Sequence, residues 1–269
     1  MKKFDKIGLN TIKFIIEEKL FDMSYMFNKC KSLINIEFIS FETIQCKNMS
    51  AMFQLCEELE YLDLSNFDTY NVTNMGYMFN RCAKLKEIKG LNKFNTYNVT
   101  NMNSMFYECK ELEYLDLSNF DTSKATNFDG LFGYCHKLKN IKGINNFITD
   151  NVSNMRLMFT DCKELEYLDL SNFNTSNVTN MELMFKQCNK LKEIKGINNF
   201  ITDKVTKMNY MFSDCIELEY LDLSNFNTSN VNNMEFFLAA CCKLKEIKGI
   251  QNFKTDKVET MRGMFANKQ

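Results

Sequence analysis

The chain has no proline and no tryptophan, and its 269 residues include a single histidine. Without proline there is nothing to read as a stiff Pro-rich linker. The lone His136 lies in CHKL, where other repeats carry Ala, Asn or Cys, so it reads as a surface substitution. No run of 18 apolar residues occurs, which leaves no candidate membrane-spanning helix. An excess of either charge is missing too: 33 Lys and Arg face 34 Asp and Glu. Such a chain sets up no net field to draw in nucleic acid or an anionic membrane. The opening MKKFDKIGLNTIKFIIEEKLF has two early lysines but not the long uncharged core of an export signal. Asp5, Lys6, Lys13, Glu17 and Glu18 interrupt it. As written, the chain is expected to be cytosolic, or a trimmed form of an exported protein.

What the chain has instead is itself, many times over. Leu59–Cys82, LEYLDLSNFDTYNVTNMGYMFNRC, recurs along most of its length. The closing cysteine falls at Cys30, Cys56, Cys82, Cys109, Cys135, Cys162, Cys188, Cys215 and Cys241, in steps of 26 or 27. A fixed period in the twenties signals a solenoid of the leucine-rich-repeat kind with one continuous core, hence one domain.

Each repeat carries out the same jobs in order. L-x-x-L-x-L, as in Leu59, Leu62 and Leu64, has period-two apolar spacing and reads as a short strand buried on one face. A Phe column (Phe41, Phe67, Phe94, Phe120, Phe147, Phe173, Phe200, Phe226, Phe253) and a Thr column two residues on follow it. Val72, Met75, Met78, Phe79 and Cys82 then recur at intervals of three and four, which predicts a helix of about three turns. The threonines are expected to cap those helices or to satisfy backbone groups in the turn; a binding ladder is the alternative. Helices are wider than strands, about 10 Å against 4.8 Å, so the stack should curve with strands on the concave side. The fold class is therefore α/β, with short parallel strands inside and helices outside.

Residues 1–22 stand outside the repeat. Ile12, Ile15, Ile16 and Leu20 recur at helical spacing behind Asn10, which predicts an N-terminal capping helix or a loosely docked leader. The array proper is expected over 23–269, about nine rungs and a partial last one. A 53-residue period overlies it: LEYLDLSNF rungs alternate with rungs such as LKEIKGLNKF, which carry one extra residue beside Gly90, Gly143, Gly196 or Gly249. Glycine beside an added residue at a strand end suggests a bulge. Rungs 125–135 and 231–242 depart most from the pattern.

The stacked cysteines, at the end of an apolar stripe and 26 residues apart, read as free buried thiols with no metal spacing. Cys242 alone is expected to be exposed. No phosphate-cradling glycine loop and no isolated acid–base pair emerge, so the reading is of a non-enzymatic chain with no catalytic residue, cofactor or metal. The outward strand positions carry the information that remains. Glu60 and Asp63 oppose Lys86 and Lys89, and the pattern repeats along the array; such opposite-charge neighbours penalise a one-rung slip. Tyr61, Tyr114, Tyr167 and Tyr220 share this face, with Asp63, Asp116, Asp169 and Asp222 two residues on. These eight are the candidate partner-binding residues, since tyrosine is enriched in binding hot spots.

LDLSNFDTYNVTNMGYMFNRC at 62–82 and LDLSNFNTSNVTNMELMFKQC at 168–188 closely resemble the 26-residue repeat of bacterial surface proteins, the BspA-like leucine-rich-repeat family. The likeness runs from about residue 23 to the end. It implies a right-handed solenoid, secreted or on a cell surface, used for adhesion and protein binding, and it carries over no catalytic residue. Phe stands where many leucine-rich repeats place an Asn ladder, so the turns after the strands should differ. Together these readings suggest a module docking a protein or glycoprotein on its strand face. A spacer that self-associates through its C-terminal end is the alternative.

Overall fold

In the computed structural model, which describes residues 11–16 and 19–267, the chain winds as a β-solenoid of short parallel strands. After β1 (Thr11–Ile16) come β2 (Asn35–Phe41), β3 (Tyr61–Asp63), β4 (Glu87–Lys89), β5 (Tyr114–Asp116) and β6 (Asn140–Lys142). The series closes with β7 (Tyr167–Asp169), β8 (Glu193–Lys195), β9 (Tyr220–Asp222) and β10 (Glu246–Lys248). From β3 to β9 each strand buries its central residue and turns its flanking two outward, as period-two spacing requires.

The predicted helices on the far side are absent among the described residues. Met75–Cys82 instead forms consecutive tight turns, with Met78 N donating to Met75 O, Asn80 N to Tyr77 O and Cys82 N to Phe79 O. The alternate N–H groups leave the rung: those of Met75, Tyr77, Phe79 and Arg81 donate to Asn101, Asn103, Met105 and Tyr107 of the next one. An α-helix would spend these donors on its own carbonyls four residues back. Forming the turns puts Tyr77 and Arg81 at φ 59° and 61°, a left-handed conformation that recurs twice in most rungs. It costs a non-glycine residue roughly 1–2 kcal/mol, offset here by hydrogen bonds between rungs. A chain of three-residue turns sends Met75, Met78, Phe79 and Cys82 inward just as a helix does, and all are fully buried. The sequence spacing is common to both structures.

This corrects the curvature argument as well. Eight Phe rings, from Phe27 through Phe53, Phe79, Phe106, Phe132, Phe159 and Phe185 to Phe212, stack with centroids 5.4–5.9 Å apart. The turn side therefore advances in steps close to the strand spacing, and wide helices no longer force the strands to the inside of a curve. A second ladder of parallel bridges, Asp22–Asn48–Asn74–Asn101 and onward to Asn233–Thr260, runs unbroken beside the Phe stack. Asparagine fits there because its Oδ1 accepts the N–H two residues on, as in Asn74 with Gly76, and this opens most of the turn segments.

The capping helix is corrected over the residues described. Thr11–Ile16 is a strand paired parallel with β2, Thr11 opposite Asn35 and Ile16 opposite Phe41. TIKFII is rich in β-branched residues, which favour strands over helices. Leu20 packs partly buried against the core; Asn10 lies outside the described residues.

The 53-residue period is built into the sheet. Strands pair two by two, β5 with β6, β7 with β8 and β9 with β10, while β1 to β4 form one sheet. Among the described residues no strand pairing joins β4 to β5, β6 to β7 or β8 to β9. At these seams the extra residue after glycine makes a 3-10 turn rather than a bulge, as at Leu91–Lys93 after Gly90. Gly90 has φ 85°, and a Cβ there would lie 2.5 Å from the Ser65 backbone of the preceding rung. Both facts demand glycine. Asn119, Asn172 and Asn225 bridge the seams by donating from Nδ2 to Asn92 O, Asn145 O and Asn198 O.

Candidate functional site

The strand face holds the four tyrosines where period two places them. Tyr61 and Tyr114 are each 50% exposed, Tyr167 47% and Tyr220 43%. Leu62, Leu115, Leu168 and Leu221 beneath them are almost fully buried, so the rings stand on a packed floor. Lys86 Nζ lies 5.6 Å from the Tyr61 ring centre and Lys248 Nζ 5.2 Å from that of Tyr220.

The aspartates of the same strands are engaged within the protein. Asp63, Asp116 and Asp169 each accept from Lys89, Lys142 or Lys195 of the next rung at 2.8 Å. Each also accepts the backbone N–H of Ser65, Ser118 or Ser171. The lysine hydrogen bond, reinforced by the serine, holds all three carboxyls down to about 2. Asp222 is lowered chiefly by Ser224, and Lys248 beside it leans over Tyr220 instead. A second row joins Glu60 to Lys86, Glu113 to Lys139, Glu166 to Lys192 and Glu219 to Lys245 at 2.6–2.7 Å. On this face the ion pairs run from each tyrosine rung to the glycine rung after it. The charge pattern therefore reinforces the two-strand unit rather than every step of the array.

Two shallow grooves open on this face, each walled by tyrosine. One of about 250 Å³ lies over β2 to β4, lined by Ile36, Tyr61, Leu62, Asp63, Glu87 and Lys89 among others. The other, about 510 Å³, spans the seam between β6 and β7 with Tyr114 and Tyr167 at its sides. Ile141 and Leu168 are in its lining, with Lys139, Asn140, Lys142 and Glu166 around them. The sequence reading singled out the tyrosines but not Asn140 or Ile141. The only hint was the extra residue beside Gly143, which opens the seam.

The remaining columns serve the fold. Each buried Thr hydroxyl reaches the next rung: Thr175 Oγ1 donates to Ile201 O at 2.8 Å and accepts from Ile201 N at 2.8 Å. The threonines thus satisfy backbone groups rather than cap helices. Every cysteine in the column from Cys56 to Cys241 donates its thiol to a Phe carbonyl of the rung before, as Cys82 does to Phe53 O. All eleven are free thiols and Cys242 is exposed, while burial pushes Cys56, Cys135 and Cys241 up to about 12. His136 is more than a surface substitution, since its Nε2 pairs with the buried Asp161 carboxylate at 2.8 Å. Among the described residues no group of three His, Cys, Asp or Glu side chains is placed to hold a metal.

A family model described as "Mycoplasma protein of unknown function, DUF285" matches residues 3–112, 83–193 and 158–269, overlapping passes that span nearly the whole chain. The chain belongs to this family. No curated protein matches it. Among solved structures, the chain is similar to a leucine rich cell surface protein from Faecalibacterium prausnitzii A2-165, at 13% identity and TM-score 0.35. That likeness covers 89% of this chain and 87% of the other. A leucine-rich repeat protein from Bacteroides ovatus ATCC 8483 is similar at 16% identity and TM-score 0.26, over 96% and 92% of the two chains. Leucine-rich-repeat character rests on this chain's own ladders and on its repeat motif.

Proposed function

We propose that the chain is a non-enzymatic binding module that docks a protein or glycoprotein on its strand face. Four half-exposed tyrosines, repeated every two rungs over a packed floor, carry this reading. Large rigid aromatic groups with a polar tip give contact area at low entropic cost, which is why they dominate binding hot spots. Tyr61, Tyr114, Tyr167 and Tyr220 act as anchors. Asp63, Asp116, Asp169 and Asp222, already holding lysine or serine, offer their remaining lone pairs at the rims. The likeness of the repeat to the BspA-like family supports adhesion at a cell surface as the setting.

The test is capture of proteins and glycoproteins from host and self extracts, wild type beside a variant with all four tyrosines changed to alanine. The exposed rings should be removable without unfolding, as circular dichroism would verify. A ligand held by the wild type and lost from the variant is the expected result; equal retention by both would refute the assignment of the face.

A second reading, a spacer that self-associates, draws on the exposure of Met261 and Phe265 on the last described turn, 47% and 54%. It expects mass to rise with concentration in light scattering and to fall when both residues become serine.

A further inference from the structure

We infer that the partner received by the strand face is a second copy of this chain, related to the first by a two-fold axis. That axis runs along the strand direction, over the seam between β6 and β7. The inference rests on the strand face being the docking surface and names what docks there.

The argument is charge, taken rung by rung. Tyrosine rungs carry carboxylates where glycine rungs carry lysines: Glu60 and Asp63 beside β4's Lys86 and Lys89, and so on to Glu219 and Asp222 beside β10's Lys245 and Lys248. From β3 to β10 the face is a series of stripes, alternately acidic and basic. A partner charged in one sign meets a like-charged stripe on every second rung. An unrelated partner with both signs has to alternate at the pitch of this array. A second copy does so whatever that pitch is.

Two in-plane two-fold axes bring the faces together, and charge chooses between them. An axis along the array lays each rung on its own equivalent, acid on acid and base on base. An axis along the strands reverses the rung order, so β3 lies over β10, β4 over β9, β5 over β8 and β6 over β7. Every acidic stripe then meets a basic one over the whole of β3 to β10, and the contact is self-complementary, as a two-fold interface must be. A slide by one rung undoes all of these matches. Strand direction is kept, so the columns meet as well: Asp63 faces Lys248, Glu60 faces Lys245 and Tyr61 faces Glu246.

The groups on this face have capacity for a second partner. The Lys139, Lys192 and Lys245 side chains are 56%, 60% and 73% exposed. Each gives one hydrogen bond to a glutamate, and an ammonium has three to give. Asp222 is the strand-face aspartate without a lysine hydrogen bond, and the facing copy sets Lys89 over it. Glu87, Glu193 and Glu246 are exposed; they lie opposite Tyr220, Tyr114 and Tyr61, whose hydroxyls can donate to them. Tyr220 exchanges a long 3.3 Å hydrogen bond to Asp222 in doing so. Nearest the axis, Tyr167 meets Asn140 of the facing copy at the seam groove that both residues line.

The test uses the full chain in sedimentation equilibrium. It should show a monomer–dimer equilibrium that weakens as salt is raised, since exposed charge pairs are screened. Two variants exchange charges within a strand pair, which keeps the ion pairs inside the chain with their signs reversed; circular dichroism verifies the fold. The first carries Glu113→Lys, Asp116→Lys, Lys139→Glu and Lys142→Glu on β5 and β6. The second carries Glu166→Lys, Asp169→Lys, Lys192→Glu and Lys195→Glu on β7 and β8. Each alone sets like charges against its facing copy and should dimerise at least about tenfold more weakly than the wild type. Mixed, the two variants restore acid on base and should pair with each other, as fluorescence transfer between differently labelled chains would report. A wild type that stays monomeric up to about 1 mM, or variants that do not pair when mixed, would overturn the inference. Dimers as strong in each variant as in the wild type would overturn it too, and assign association to the ends of the array. If the wild type is monomeric yet another protein is captured through the four tyrosines, the face stands as a docking surface and its partner is not a second copy.

Discussion

Changing Thr175 to valine removes one oxygen and leaves the shape of the side chain intact, which isolates the hydroxyl bridge between rungs. Thr175 is 1% exposed, and its Oγ1 serves both the C=O and the N–H of Ile201 in the next rung, at 2.8 Å each. Valine strips both part-buried groups of that partner, at about 1–3 kcal/mol each. The extra buried methyl returns about 1 kcal/mol, so the net loss should lie near 3 kcal/mol. Thr175→Ser keeps both hydrogen bonds and loses one buried methyl, a cost of about 1 kcal/mol. Valine should therefore be the worse substitution by about 2 kcal/mol. Stacked rungs can open locally, so urea unfolding of the full chain should be paired with hydrogen exchange at the Ile201 amide. Faster exchange there in the valine protein and near-native exchange in the serine protein is expected. If valine proves as stable as serine or more so, the threonine column holds the rungs by packing alone and the bridge contributes nothing.

Gly143→Ala places a Cβ 2.5 Å from Ser118 Cα and forces alanine to φ 88°, so it should cost more than about 3 kcal/mol or prevent folding, as a thermal melt would show. A thiol reagent on the native protein should modify Cys242 quickly and the cysteines from Cys56 to Cys215 only on unfolding; rapid modification of several would contradict the buried column. The carboxyls of Asp63, Asp116 and Asp169 sit near 2 in the fold, below an unfolded value of about 3.9. Their stabilisation is full above about pH 4 and lost as pH falls toward 2. Asp116→Asn with Asp169→Asn should therefore flatten the fall in Tm over that window.

The repeat, the strand positions, the outward tyrosines and the buried thiols were all legible in the residues. Period-two spacing fixes which side chains of a strand face out, and nothing in the rung competes with it. The turns on the far side were not legible, because Met75, Met78, Phe79 and Cys82 point inward in a helix and in a run of three-residue turns alike. What separates the two is where alternate N–H groups go, and that is a property of the neighbouring rung, invisible within one. Asn74 and its counterparts were the available signal, since asparagine before most of the turn segments suits an Asx turn better than a helix interior. The N-terminal strand was misread for a similar reason. Ile12, Ile15 and Ile16 fit helical spacing, while their β-branching and the open edge of β2 favour a strand. The seam groove required knowing that one added residue per 53 ends strand pairing, which no single rung reveals.

The pairing of strands in twos also bears on how such an array gains or loses length over generations. If β6 and its rung were deleted, Glu113 and Asp116 would face Glu166 and Asp169, and the glycine seam would lose its partner. Removing two rungs together joins β4 to β7 as β4 now meets β5, with every charge and seam in place. Duplication and loss in this lineage should therefore proceed in blocks of 53 residues, each block carrying one strand-face tyrosine with it. Lengthening the array and adding a foothold for a partner are then the same genetic event.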